Sequence, residues 1–184
     1  CFDAETGDLK SSDYLSDYSL WATETAVAAD GTVYGDFFTG DASSYELGIA
    51  DYANNTRSTI GSLHNYYVAL GITKDNVLYG ISTYGDLYRI DTKTAKESLV
   101  GSTGVKLMLS DGSWNVQSGE IDQASGIFYW ACTDHTGASA LYTVDLTSGA
   151  ATKVGDIVNN EQLALLSIPK ETVADAAPGM TADL

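Results

Sequence analysis

Basic residues are scarce in this chain. Nine Lys and Arg stand against 25 Asp and Glu over 184 residues, a net charge of −16. Nucleic acids and anionic lipid surfaces are held chiefly through Lys and Arg, so neither is an expected partner. Long apolar runs are also missing, and nothing approaches the length of a membrane helix, so membrane insertion is not expected. No secretory leader heads the sequence, as expected if residue 1 is not a native N-terminus. There are two histidines, His64 and His135, far apart and with no cysteine or acidic cluster at ligand spacing. A zinc site is therefore not expected, and no other metal or cofactor is called for. The HExxH, GxSxG and Walker patterns are absent, so no catalytic residue is assigned. The two cysteines, Cys1 and Cys132, fall in different repeat units, which argues against a disulfide and for buried free thiols.

What the chain has instead is a repeat. Residues 68–101 read as four short strands: 68–73, 77–82, 87–91 and 96–101, with turn residues between them. Residues 87–101 (LYRIDTKTAKESLVG) align without a gap on 47–61 (LGIADYANNTRSTIG) and on 141–155 (LYTVDLTSGAATKVG). A further copy opens the chain, with Asp3 where Asp51, Asp91 and Asp145 fall; these aspartates are 48, 40 and 54 residues apart. The second strand repeats as well, in GTVYG (31–35), NVLYG (76–80) and GIFYW (126–130). A period of roughly 40–50 residues with four strands per unit predicts an all-β chain of β-propeller blades, each of four antiparallel strands.

The motifs Gly-x-Leu-Tyr-Gly and Leu-Tyr-x-Val-Asp-x-x-Thr-Gly-Ala-Ala-Thr-x-Val-Gly resemble the propeller repeats of secreted and surface proteins from Bacteroidetes-type bacteria. The resemblance covers residues 1–169. It implies an exported protein, secreted or at the cell surface, in which fibronectin-III-like modules often follow the propeller. It is specific for the fold and says little about function.

Three complete units, 24–61, 68–101 and 116–155, with partial units at both ends, fall short of the 4–8 blades or so of a closed propeller. The expectation is a piece of a longer protein, with the remaining blades elsewhere in the parent or on another chain. The alternative is a small ring, with 161–168 joining 1–10 in one shared blade. In the first unit, 24–29, 32–36, 45–51 and 57–61 are the expected strands and 37–44 a loop. Residues 161–168 (EQLALLSI) read as the inner strand of a further unit, and 105–109 as an added strand or a cover over the core. Residues 170–184, rich in Ala and small polar residues, read as a linker toward a further module. Little helix is expected.

Several residues invite a functional reading that the repeat dissolves. The marker aspartates close strands before turns and are expected to accept hydrogen bonds from turn amides. Tyr34, Tyr79 and Tyr129 recur at one strand position, as packing residues do. The loops at Gly40-Asp41 and at Ser110-Asp111-Gly112 lack a calcium-loop pattern. Asn54-Asn55-Thr56 is a formal glycosylation sequon.

The blade-to-blade connections are different. They carry Tyr14, Tyr18 and Trp21, then His64, Tyr66 and Tyr67, then Trp114, with Tyr84 in a loop on the same side. Rings in connections pack or bind, because such segments usually run over the surface. The candidate binding face is centred on Trp21, Tyr66, Tyr67 and Trp114, suited to sugar faces or peptide side chains. The competing reading is that each ring covers the end of an inter-blade core. Two functions follow. One is a non-catalytic binding or scaffold module recognising glycan or protein. The alternative is the propeller of a glycan-cleaving enzyme, which needs two carboxylates about 5–10 Å apart on a cleft.

Overall fold

Turn chemistry every few residues breaks the chain into strands too short to bury a face alone, and they assemble into three four-stranded antiparallel sheets. The computed structural model describes residues 6–9, 21–39 and 44–168. The first sheet is β1 (Ala22–Val27), β2 (Val33–Phe38), β3 (Tyr45–Asp51) and β4 (Thr56–Leu63), in that spatial order. The second is β5 (Tyr67–Ile72), β6 (Leu78–Ser82), β7 (Asp86–Ile90) and β8 (Glu97–Ser102). The third is β9 (Ser118–Ile121), β10 (Phe128–Thr133), β11 (Ser139–Val144) and β12 (Ala151–Asp156). Strand order equals chain order in each, as in an up-and-down propeller blade. The first strands are the inner ones: β5 packs beside β1 on one side and β9 on the other. Among the described residues the only helical piece is a 3-10 turn, Val158–Asn160.

The repeat governs detail below the level of strands. The third and fourth strands of every blade shift register at the same place, after Leu47, Leu87 and Leu141. In each third turn, the residue four after the marker aspartate is left-handed: Asn55 at φ 52°, Ala95 at 58° and Gly149 at 81°. Asp91 Oδ1 accepts the amides of Lys93 and Thr94, both at 2.9 Å, and Asp145 Oδ1 those of Thr147 and Ser148 at 2.7 and 3.1 Å. Asp51 accepts the Asn54 amide at 3.1 Å. The structural reading of these aspartates therefore holds at all three described positions; Asp3 lies outside the described residues.

Two apolar clusters fill the spaces between blades. The first joins Ala26, Leu47 and Leu63 to Tyr67, Leu70, Leu78 and Ile90. The second joins Val68, Ile81 and Leu87 to Leu107, Ile121, Phe128 and Trp130. Cys132 is a buried free thiol in the second. Leu107 is buried while 105–109 forms no strand, so this run covers the core. Tyr34, Tyr79 and Tyr129 are half-buried, whereas their strand neighbours Leu78 and Phe128 are fully buried and carry the deeper packing.

Three expectations need correction. β2 runs on to Phe38, so Phe37 and Phe38 are strand and not loop; Phe37 fills the space over Gly35 and Gly48. β1 starts at Ala22, two residues before the expected 24–29, because the ladder resumes at Ala22 opposite Phe37 beyond an irregularity at Thr23. Residues 161–168 form no strand among the described residues. They lie along β9 through side chains instead: the Leu166 amide donates to Ser118 Oγ at 3.0 Å and the Ile168 amide to Glu120 Oε2 at 2.6 Å. The proposed linker 170–184, with Tyr14 and Tyr18, falls outside the described residues.

Candidate functional site

The connection between β4 and β5 is tied down by one carboxylate. Glu97, at the start of β8, accepts the amides of His64 and Asn65 at 2.8 and 3.1 Å, the Asn65 side chain at 2.9 Å and the Tyr67 hydroxyl at 2.6 Å. Its side chain is 6% exposed while that of His64 is 92% exposed. Burial alone would push the Glu97 carboxyl up, but the hydrogen bonds from Tyr67, His64 and Asn65 outweigh it and hold the group below the usual carboxylate range. The clamp fixes the direction in which Tyr66 leaves the connection.

Tyr66 stands in a chain of four rings. Phe38 and Tyr45 have centroids 5.2 Å apart, Tyr45 and Tyr66 meet edge-on at 4.9 Å, and Tyr66 and Trp114 are 4.8 Å apart. The chain crosses from the first blade to the connection that enters the third. Trp114 is 36% exposed. Beside these rings is a cleft of about 150 Å³ lined by Thr23, Glu24, Tyr66, Trp114, Asn115 and Gln117, with backbone neighbours. A second cleft, about 270 Å³, lies between β1, β9 and residues 164–167, and Glu24 lines both.

Of the four ring residues expected to share a face, Tyr66 and Trp114 are brought together. Trp21 is half-exposed, immediately before β1, and is not among the residues lining the ring-bordered cleft. Tyr67 is fully buried; its ring lies over Gly80, where any Cβ would collide with it. Tyr67 is a core residue and offers a ligand no exposed ring face. Tyr84 is exposed in the β6–β7 turn.

The charged residues of the site are Glu24 and Asp36. They are direct partners in the β1–β2 ladder, so both side chains stand on one face. Asp36 is wholly buried. Its Oδ2 accepts the Tyr67 amide at 3.1 Å, while its Oδ1 has no hydrogen-bond partner. Burial raises the Asp36 carboxyl to about 7 although the Tyr67 amide and Thr23 pull the other way. Burial, and then the charge of Asp36, raise Glu24 to about 9. Like charges facing each other at this depth cannot both be ionised, so Glu24 is protonated at neutral pH. Among the described residues, no group of three or more His, Cys, Asp or Glu side chains could hold a metal.

Glu24 and Asp36 were open to detection in the sequence. Aligning the GTVYG-type motifs places Asp36 where the second blade has Ile81 and the third Ala131. The partner position holds Glu24, Ala69 and Ser118 in turn. The first blade thus carries an acid pair where the other two carry small or apolar residues.

No family model matches the chain, and no curated protein matches it. Among solved structures it is similar to a protein of unknown function from Bacteroides thetaiotaomicron, with a TM-score of 0.55 and 17% identity over 70% of this chain and 32% of that one. It is also similar to a chain of the nidogen/laminin complex, with a TM-score of 0.53 and 12% identity over 72% of this chain and 47% of that one. The chain spans less than half the length of either structure it matches. At these identities the likeness bears on fold alone, and with three up-and-down four-stranded sheets side by side the chain has a β-propeller-like, all-β fold.

Proposed function

We propose that the chain is a non-catalytic binding module of an exported protein. Its ligand, a glycan or a protein, lies on the rings that border the small cleft between the first and third blades. The observation that carries this is the ring chain Phe38–Tyr45–Tyr66–Trp114, which ends in a partly exposed indole beside a cleft lined by amide and carboxyl side chains. Rings with polar groups at their edges suit ligands that are apolar on one face and polar at the rim. Trp114, with Tyr66 packed beside it, is the contact we assign to the ligand. The glycan-cleaving alternative draws no support from the Glu24–Asp36 pair. Asp36 is sealed in the interior, so it cannot share a substrate with Glu24 as the two acids of a glycosidase must.

The test is titration with glycan and peptide panels, read by calorimetry and by tryptophan fluorescence. Trp114→Ala is expected to weaken binding at least tenfold with the fold intact by circular dichroism. Ligand binding that survives both Trp114→Ala and Tyr66→Ala would show that these rings only cover the core.

A further inference from the structure

The acid pair raises a question that packing does not answer. Glu24 forms no hydrogen bond or ion pair among the described residues, and Asp36 Oδ1 beside it is buried without a partner. Buried carboxyl groups without partners weaken a fold, and the other blades avoid the cost by placing Ala69–Ile81 and Ser118–Ala131 at the same pair of positions. Local rules broken in one copy of a repeat and kept in the others mark places under a demand other than folding. Glu24 is also the member of the pair that lines the cleft, together with Tyr66 and Trp114.

We propose that the cleft recognises the guanidinium group of an arginine side chain on a protein ligand, stacked against Tyr66 and Trp114 and paired with Glu24. The inference rests on the reading of this cleft as the binding site. A guanidinium is planar, so it stacks on ring faces, and its N–H groups fit a carboxylate fork. Among the described residues, no Lys or Arg lines either cleft that Glu24 borders, so none of them supplies a cation to neutralise the acid. Among the described residues, the titratable groups around the acid pair are all acidic or phenolic. Asp36 comes from β2, Tyr45 from β3 and Tyr66 from the connection before β5. Glu97 of β8 acts through Asp36, and Glu120 of β9 lines the neighbouring cleft. A protonated Glu24 must release its proton to pair with the cation, and that proton goes to solvent. Binding is therefore coupled to proton release and tightens as pH rises between about 6 and 8, by up to about tenfold per unit for one proton released.

The experiment uses the full chain and the capped tripeptide Gly-Arg-Gly, with its uncharged citrulline counterpart as control. Calorimetry is run at pH 6 and pH 8 in buffers of different ionisation enthalpy, which reads the released proton directly. The expected result is binding of the arginine peptide only, tighter at pH 8, with proton release. Glu24→Gln should abolish the preference for arginine over citrulline and the proton release while the ring contact survives. Equal binding of both peptides would overturn the guanidinium assignment and leave the cleft as a binding site. Silence toward both peptides, with a glycan from the panel binding in a Trp114-dependent way, would overturn it in favour of a sugar. Silence toward every ligand, with Trp114 unresponsive, would remove the binding reading itself.

Discussion

The two joints between blades are built on opposite plans. Between the first and second blades the contact is partly polar. Asp36 holds the Tyr67 amide across the joint, and Glu97 gathers four donors from the incoming connection. Between the second and third blades the contact is mainly apolar and close. A Cβ at Gly71 would lie 2.7 Å from the Ile121 side chain, and one at Gly119 3.0 Å from Ala69. The outer strands repeat the contrast. Gly61 of the first blade meets the turn of the second at Thr94 and Ala95, with 3.1 Å from an added Cβ to the Thr94 carbonyl. Gly101 meets the next turn at Ser148 and Gly149 so closely that a Cβ would collide with the Ser148 carbonyl. The looser joint admits alanine in its left-handed turn position; the tighter one needs glycine on both sides. One repeat thus yields a joint where buried carboxylates take part in the contact and a tighter, mainly apolar one.

The largest effect is expected where the tighter joint is hollowed. Trp130 is fully buried opposite Gly119, reversing the Leu70–Gly80 arrangement of the second blade. Trp130→Ala should cost about 3–5 kcal/mol in denaturant unfolding, as large aromatic truncations do. Tyr79→Ala, at a half-buried position, should cost clearly less. Next come the three glycines of the fourth strands. Gly101→Ala should destabilise by about 1–3 kcal/mol through overpacking, Gly61→Ala by less, and Gly155→Ala, which meets nothing within 4 Å among the described residues, by about 0.5 kcal/mol or less. Equal losses at Gly101 and Gly155 would erase the distinction between an occupied and an open joint.

The joint between the first and second blades, which holds the carboxylates, should be the pH-sensitive one. The carboxyls of Asp36 and Glu24 lie at about 7 and 9 in the folded chain, above their ordinary values of 3.8 and 4.5. The folded state then binds more protons than the unfolded one across that window. Stability is accordingly greatest near the acid end of the window and falls as pH rises from about 4.5 to 8. Asp36→Asn should flatten this slope in melting curves recorded at several pH values, while Trp130→Ala should leave the slope unchanged. The smallest effect is expected at His64. Its ring contacts Glu97 through Nδ1 at 3.0 Å but is 92% exposed, and its backbone amide keeps the second Glu97 contact, so His64→Ala should shift stability by no more than about 0.5 kcal/mol.

Strands and turns were legible because their causes are local. Asp91 and Asp145 cap the turns that follow them, and the residue four places on supplies the left-handed bend, so the repeat could be read from spacing. The pairing of Tyr66 with Trp114 was partly legible, since both sit in connections on one side. Of their neighbours, Phe38 was hidden in a strand that continues past its apparent end, and Tyr45 opens the strand beside it, so its contact with Tyr66 depends on that pairing. The burial of Tyr67 was not legible, because it depends on the absence of a side chain at Gly80 one strand away. Asp36 was legible as the acid standing where the other blades have Ile81 and Ala131, but its pairing with Glu24 depends on strand register through an irregularity after Ala22, which no one-strand pattern encodes. Residues 161–168 have a strand-like composition but find side-chain oxygens of β9 rather than a ladder.

The position of β5 has a consequence for how the chain opens. All six of its residues are buried, and it is the inner strand with another on each side. In a linear array each unit owes its resistance to opening to its neighbours, and the middle unit has two. Backbone amides of β5 should therefore exchange with deuterium only when the whole array opens. Those of β12, whose Val154 is 58% exposed, should exchange through openings confined to the third blade. Exchange rates along the sequence would then follow the order of the blades rather than the hydropathy of their strands.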